Sequence, residues 1–234
     1  MKTLLASLFV LSMIAGPASD AVAADKGKWI QLFNGKDLAG WKGLVGNPKT
    51  RAAMTKAQLA AAQKTADVAM QAHWKAVDGV LVFDGKGKSL CTARDYGDFE
   101  LLVDWKIKAK GDSGIYLRGS PQVQIWDYTD PSKFGIGADK GSGGLWNNSK
   151  GAKGKDPLVL ADNKLGEWNS FRIRQVGART TIWLNKKLIV DHATLENYFD
   201  RARPLFHHGP IQLQTHGGEI SLLGCGRLAF LEGA

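Results

Sequence analysis

Cysteine is scarce in this chain of 234 residues, which contains two, Cys91 and Cys225. Two isolated thiols do not form the closely spaced Cys or Cys/His sets of a structural zinc site. In an oxidising compartment the two could pair, and otherwise they are two buried thiols. Cysteine-based metal binding is therefore not supported, and the pairing stays open.

Long hydrophobic runs are also missing. The longest, residues 4–14, is too short to span a bilayer, and no later segment is apolar enough to do so. It follows Lys2 and precedes the small-x-small site Ala21-Val22-Ala23. This pattern predicts a signal peptide over residues 1–23 and an exported single domain over residues 24–234, periplasmic or secreted.

The chain has no concentrated basic segment, although its net charge is +9. Its longest basic runs are pairs such as Lys186-Lys187, and an exported protein does not meet DNA. We therefore expect no nucleic-acid partner. Motifs for zinc proteases, phosphate-binding loops and nucleophile elbows are absent as well.

Glycine and tryptophan are abundant, with 28 and 8 residues, and most apolar residues alternate with polar ones. In residues 99–107 every second side chain is apolar, which predicts a half-buried strand. Residues 53–72 differ, because they are rich in Ala, Gln, Lys and Met and lack Gly and Pro. They predict one inserted α-helix that Thr55 caps, within an otherwise all-β two-sheet sandwich.

Alternation also predicts one unusual polar sheet face. Amides, Arg and aromatic rings occupy outward positions where Lys, Glu and Thr are usual. Planar amides and guanidinium groups suit the hydroxyls of a sugar, and aromatic rings suit its flat apolar surface. We interpret this face as a sugar groove, and the alternative is a hydrophilic outer sheet. Its members are Tyr116, Arg118, Gln122, Gln124, Trp126, Gln212, Gln214 and His216.

Three further residues are candidates for chemistry. His216 ends the polar face just before Gly217-Gly218, where it is either a base or a structural histidine. Asp127 and Glu196 are carboxylates near strand ends, where a solvated surface role is the default for either. The connection of residues 129–166 is long enough to be functional and contains Trp146.

Several ordered motifs resemble the 3-keto-disaccharide hydrolase family from about Trp29 to Glu219. One is Tyr96-Gly97-Asp98-Phe99-Glu100, and a second is Ser113-Gly114-Ile115-Tyr116-Leu117-Arg118-Gly119. The third is Gln122-Val123-Gln124-Ile125-Trp126-Asp127. Two more, residues 195–201 and 209–217, follow in the expected order. After residue 219 the chain departs from the family pattern, and Gly224 and Gly226 predict a weakened last strand.

The resemblance implies a concanavalin-like jelly roll that acts on 3-keto-glycosides. It implies removal of the C2 proton, β-elimination of the C1 substituent and hydration of the glycal. Arg118 and Gln124 would then hold the sugar, His216 would be the base or a metal ligand, and Asp127 and Glu196 the acids or ligands. Trp126 or Trp146 would stack on the ring. A divalent cation is compatible with this chemistry but has no ligand set in the sequence. The alternative is a non-catalytic glycan-binding module.

Overall fold

The structure is a computed structural model that describes residues 29–216 and 220–230. The signal peptide expected over residues 1–23 lies outside these ranges and stays a prediction. Within them, no helix is both long and apolar enough to cross a membrane. The described chain is an all-β jelly-roll sandwich of two antiparallel sheets with few helices, as the sequence predicts.

Thirteen strands can be assigned in the described residues. The larger sheet has the order β11-β10-β9-β6-β13-β4-β3, and β1 also pairs with β13. The smaller sheet has the order β2-β5-β12-β7-β8. The strands are β1 (Trp29–Gln31), β2 (Trp41–Gly43), β3 (Trp74–Val77), β4 (Val80–Phe83), β5 (Leu90–Thr92), β6 (Phe99–Ile107), β7 (Asp112–Leu117), β8 (Ser120–Trp126), β9 (Asn169–Val176), β10 (Arg179–Leu184), β11 (Lys187–Thr194), β12 (Gln212–Leu213) and β13 (Ile220–Phe230).

Side chains that alternate along the strands fill the space between the two sheets. On β6, every second residue from Phe99 to Ile107 is buried, which confirms the alternation predicted for that strand. Ile115 on β7 and Val123 on β8 enter the same core from the smaller sheet. Each such side chain contributes about 1.5–3 kcal/mol on burial, so the face that carries these residues is fixed.

The predicted helix is present as α2 (Lys56–His73), after a short helix α1 (Pro48–Ala52) that the sequence analysis did not identify. Thr55 caps α2, and its hydroxyl accepts a hydrogen bond from the Gln58 backbone. The helix packs closely on β2, where the Gly43 amide donates to Asp67 at 2.8 Å. A Cβ at Gly43 would lie 2.1 Å from a helix carbonyl oxygen, so glycine is required for this approach.

Strand β13 lies between β6 and β4 in the larger sheet. Its register with β6 shifts between Leu223 and Arg227, the stretch where two glycines predict a weakened strand. The irregularity interrupts the pairing locally, but the strand continues to Phe230. On the smaller sheet, Cys91 is a buried free thiol, and burial raises its pKa to about 11. The side chain of Cys225 lies outside the described part of the chain.

The long connection after β8 folds back along that strand. It contains two short 3₁₀ helices, Pro131–Ile136 and Ala138–Lys140. Backbone hydrogen bonds then join Gln124 to Gly143 and Gly144 at 2.7 and 3.0 Å. The connection therefore covers the free edge of β8 and forms one side of the outer face of the smaller sheet.

A partly buried carboxylate anchors this connection. Asp162 accepts a hydrogen bond from the Ser142 backbone at 2.9 Å, and the Ser142 hydroxyl accepts one from the Trp126 backbone at 3.2 Å. Burial raises the pKa of Asp162 above its ordinary value, although the bonds from Ser142 partly oppose this shift. The folded protein therefore favours the neutral form of this carboxyl.

Replacing this carboxyl with an amide changes how stability depends on pH. Because the folded pKa of Asp162 is raised, its contribution is fullest below about pH 4 and is lost as the pH rises through the folded value. The Asp162→Asn variant does not suffer this loss. The melting temperature of the variant minus that of the original protein should therefore be more positive at pH 7 than at pH 4. An equal difference at both pH values would contradict this assignment.

Candidate functional site

The outer face of the smaller sheet contains a cleft of about 210 Å³. Strand alternation creates this cleft. On β7 and β8, every second side chain faces the core, so the residues between them face the outer side of the sheet. The connection of residues 129–166 and the segment after β12 form its walls. Its lining comprises Asp112, Tyr116, Gln122, Gln124, Trp126, Ile136, Trp146, Asn147, Gln214 and His216.

Asp112, at the start of β7, organises one end of the cleft. Its Oδ1 accepts a hydrogen bond from Gln124 Nε2 at 2.9 Å. Its Oδ2 lies 2.9 Å from Lys133 Nζ and 3.5 Å from His216 Nδ1. The Asp112 side chain is 12% exposed, whereas that of His216 is 65% exposed. The imidazole therefore has a buried carboxylate on one side and remains accessible to a ligand.

Amide side chains form the middle of the cleft. Gln122 donates to Gln124, which in turn donates to the Ser113 carbonyl at 3.1 Å as well as to Asp112. Among the described residues that line the cleft, three buried acceptor oxygens have no partner: Gln122 Oε1, Gln214 Oε1 and Asn147 Oδ1. An unsatisfied buried polar atom costs about 1–3 kcal/mol. The cleft thus presents acceptors that are suited to hydroxyl donors.

Two tryptophans form the aromatic wall. The ring centroids of Trp126 and Trp146 are 6.4 Å apart, and the rings meet edge to face. Their indole N–H groups donate to the carbonyls of Gly141 and Ile136, at 2.8 and 3.1 Å. Because both polar atoms are occupied, these side chains present apolar ring surface to a ligand.

Tyr116 also lines the cleft and is partly buried. Burial raises its pKa to about 12, with smaller contributions from the negative charges of Tyr198 and Asp112. The phenol therefore stays protonated at neutral pH and acts as a hydrogen-bond donor. It is the side chain in the cleft best suited to donate a proton to a developing oxyanion.

Arg118 is not in the cleft, and its predicted place there is wrong. Register pairs Leu117 with Ser120, so Arg118 and Gly119 form the two-residue turn of the β7–β8 hairpin. Their φ angles of 53° and 75° fit a type I′ turn. The guanidinium is buried, where it pairs with Asp98 and donates to the carbonyls of Gly97 and Phe206. The alternation of a β-strand does not predict the direction of the Arg118 side chain, because the strand has already ended at Leu117.

Neither of the other two candidate carboxylates lines the cleft. Asp127 is buried and accepts bonds from the Thr129 backbone, the Thr129 hydroxyl and the Lys110 backbone. Burial raises its pKa, but these bonds outweigh that effect and lower it. Glu196 pairs with Arg201 and accepts from Ser149 at 2.7 Å. Both carboxylates hold loops in place, which corrects their predicted catalytic positions.

Seven predicted residues line the cleft, and the structure adds others that the sequence did not reveal. Asp112 could have been found, because it lies two and four residues before Gly114 and Tyr116 and so shares their face. Lys133 and Asn147 come from the long connection, which has no period to read. The predicted residues that meet in the cleft, together with Trp146 from the connection, are Tyr116, Gln122, Gln124, Trp126, Gln214 and His216.

The described residues offer no ready site for a cation. No group of three or more His, Cys, Asp or Glu side chains comes together within residues 29–216 and 220–230. The cleft supplies one carboxylate and one imidazole, Asp112 and His216. This donor set does not fit a divalent cation held by the protein alone, and no step below is derived through one.

The described chain is thus a jelly-roll protein with a polar cleft, partly walled by aromatic rings, on the outer face of its smaller sheet. Residues 28–222 match the family of 3-keto-alpha-glucoside-1,2-lyase-like domains, and the chain belongs to that family. It is 25% identical over 181 residues to a 3-keto-disaccharide hydrolase from Bacteroides thetaiotaomicron. The match covers 64% of this chain and 53% of the relative, so the chain spans about half the length of that protein.

Two solved structures from Parabacteroides distasonis, each described as a candidate glycosyl hydrolase, have the same fold. One has a TM-score of 0.62 and 24% identity, and the match covers 88% of this chain and 84% of the other. The second has a TM-score of 0.60 and 22% identity, with 87% and 94% covered. At these identities the likeness shows the fold alone.

The corrected position of Arg118 has a measurable consequence. The Arg118→Ala variant leaves Asp98 without its buried partner and two carbonyls without their donor, so we expect a loss of about 3 kcal/mol in the free energy of unfolding. Arg174→Ala, at an exposed position on β9, is the matched control and should change stability by less than about 0.5 kcal/mol. Urea denaturation measures both. Equal effects of the two substitutions would refute the structural role.

Proposed function

We propose that the cleft cleaves 3-keto-glycosides by elimination and hydration. The observation that carries the proposal is the pairing of His216 with Asp112 in a cleft that also contains a phenol of raised pKa, Tyr116. This set provides one base and one acid. Ordinary glycosidases instead use two carboxylates about 5–9.5 Å apart, and Asp112 is the single carboxylate among the described residues that line the cleft.

The first step removes the proton from C2. A ketone at C3 acidifies this C–H bond, because the resulting carbanion is delocalised as an enolate. His216 takes the proton, and Asp112 stabilises the imidazolium that forms. The Asp112 carboxylate is in turn held by Gln124 and Lys133, at 2.9 Å each, which fixes the direction in which it faces the imidazole.

The second step breaks the bond between C1 and the glycosidic oxygen. The enolate electrons form the C1–C2 double bond, and the leaving oxygen takes the pair from the broken bond together with a proton from Tyr116. Water then adds to the glycal: the Tyr116 phenolate takes a proton from water as the hydroxyl bonds to C1, and the His216 imidazolium gives a proton to C2. Both groups regain their starting protonation, and the net result is hydrolysis. Because burial keeps Tyr116 protonated, it is available as the acid at neutral pH.

Binding of the sugar relies on the unpaired amide oxygens. The acceptors of Gln122, Gln214 and Asn147 gain partners when ring hydroxyls donate to them, and Trp146 supplies the adjacent ring surface. Discrimination by such buried polar groups is strong, because a ligand without the matching hydroxyl leaves them unsatisfied. These contacts support a saccharide as the ligand.

A non-catalytic glycan-binding module is the second candidate. It is favoured by the same wall of Trp126 and Trp146 and the same amides, which bind a sugar without any chemistry. The two functions differ in what His216 and Asp112 do. A binding module needs neither a base nor exchange of the C2 hydrogen, so chemistry at C2 discriminates between the two candidates.

Removing the base should stop that chemistry. We expect His216→Ala to lower kcat for a 3-keto-disaccharide by about 10²–10⁴-fold and to abolish incorporation of deuterium from D₂O at C2 of the product. Asp112→Asn should lower kcat less, because the imidazolium loses its counter-charge. Product release and deuterium content are measured by mass spectrometry.

The control is His207→Ala, a substitution of an exposed histidine outside the cleft, which should retain activity. Turnover that survives unchanged in His216→Ala would refute the assignment of the base. Sugar binding by a folded original protein that neither releases product nor exchanges the C2 hydrogen would favour the binding module.

The floor of the cleft gives an independent test. Gly114 lies between two glutamines, and an added Cβ would be 3.1 Å from both Gln122 Oε1 and Gln214 Oε1. The Gly114→Ala variant should therefore raise KM or the ligand Kd about tenfold or more while the melting temperature changes little. Unchanged affinity would show that the sugar does not occupy this floor.

A further inference from the structure

The cleft is small for the ligand that the proposed function implies. Its volume of about 210 Å³ is below the range of about 300–1,000 Å³ that is usual for pockets of drug-sized molecules. A disaccharide has two rings, so one ring fills the cleft and the other lies over its rim. The rim residues therefore decide which leaving group the protein accepts.

Residues 195–201 cross one end of the cleft floor. The Ser120 hydroxyl donates to the Glu196 carbonyl at 3.1 Å and accepts from the Tyr198 backbone at 3.4 Å. On β8, Ser120 precedes Gln122 and Gln124 on the same face, because the three positions alternate along the strand. The segment thus continues the line of the cleft beyond Gln122.

This segment places an aromatic ring at the rim. Tyr198 is 45% exposed, and Phe199 supports it edge to face at a centroid distance of 5.3 Å. The guanidinium of Arg201 lies 5.6 Å from the ring centroid. Arg201 in turn donates to the Asn147 carbonyl at 2.6 Å, and Asn147 lines the cleft. The ring is therefore held beside the site.

The opposite rim has a different character. Phe134 and Ile136, on the 3₁₀ helix beside Trp146, are 43% and 52% exposed. They present apolar surface, and the Ile136 carbonyl is already bonded to the Trp146 indole. A second sugar needs both a flat ring surface and hydrogen-bonding groups at its edge. Tyr198 and Arg201 supply both.

We propose that Tyr198 and Arg201 form a subsite for the leaving sugar of a disaccharide, with the Tyr198 ring as its stacking platform. The inference rests on the proposed function, because it assigns the leaving side of the same cleft. It places the leaving group at the Tyr116 end, away from Asp112 and His216. Tyr116 directly precedes Leu117, which pairs with Ser120, and the Ser120 hydroxyl accepts from the Tyr198 backbone at 3.4 Å. The proton donor is therefore at the end of the hairpin that this segment crosses.

The test compares two ligands by titration calorimetry, which needs no turnover. The ligands are an unoxidised disaccharide and the methyl glycoside of its non-reducing sugar. Tyr198→Ala should raise the Kd of the disaccharide about tenfold and leave that of the methyl glycoside unchanged. Tyr198→Phe keeps the ring and should retain most of the affinity. Phe134→Ala is the matched control on the opposite rim and should affect neither ligand.

The binding measurements test the subsite independently of the proposed catalytic activity. Equal Kd changes for both ligands in Tyr198→Ala, or a larger change in Phe134→Ala, would overturn the subsite. A selective loss of disaccharide affinity supports it even if the original protein has no activity on a 3-keto-disaccharide, which is the result that contradicts the proposed function. In an active protein, Tyr198→Ala should lower kcat/KM for the disaccharide but not for the methyl 3-keto-glycoside.

Discussion

Strand periodicity is the constraint on which this site depends. Core packing requires Ile115, Val123 and Ile125 to face the larger sheet, and a shift of one residue would expose all of them. Their neighbours are thereby forced onto the opposite face, where Tyr116 and Gln122 line the cleft. The free energy that holds the ligand-facing side chains in place thus comes from apolar residues that no ligand touches.

Asp112 joins the elements that periodicity alone does not bring together. Its two oxygens contact Gln124 from β8, Lys133 from the long connection and His216 from the segment after β12. A largely buried carboxylate needs such partners, because its desolvation is costly without them. Lys133 balances its charge, and Lys133 and Gln124 together fix the orientation in which it meets the imidazole.

How much of the site could be predicted depends on whether each residue lies in a strand or in a connection between strands. Gln122 and Gln124 were found because they lie within β8, where alternation holds. Gln214 was found because it directly follows β12 and continues its alternation. Arg118 was misplaced because the strand ends at Leu117 and both turn residues adopt positive φ angles. The motif that contains Arg118 signals a buried ion pair and a tight turn, and neither the motif nor its spacing separates that role from ligand binding.

The same limit applies to the carboxylates and the loops. Asp127 and Glu196 bind nearby backbone and side-chain groups, a role that a single sequence does not distinguish from catalysis. Asn147 is missed for a related reason, since a segment without a repeat gives no information on which way its side chains point. The fold was more predictable than the site, because each strand carries its own signal and the site combines several segments.

The unpaired oxygens give the cleft its chemical character. Gln124 uses its amide protons on Asp112 and the Ser113 carbonyl, and it accepts from Gln122. The Gln122 oxygen is thereby left without a donor among the described residues. With Gln214 and Asn147 it makes three acceptors, and a terminal 3-keto-glucosyl ring keeps three hydroxyls, at C2, C4 and C6. Each acceptor that gains a hydroxyl loses its burial penalty, so the ligand that satisfies all three is favoured over one that satisfies two.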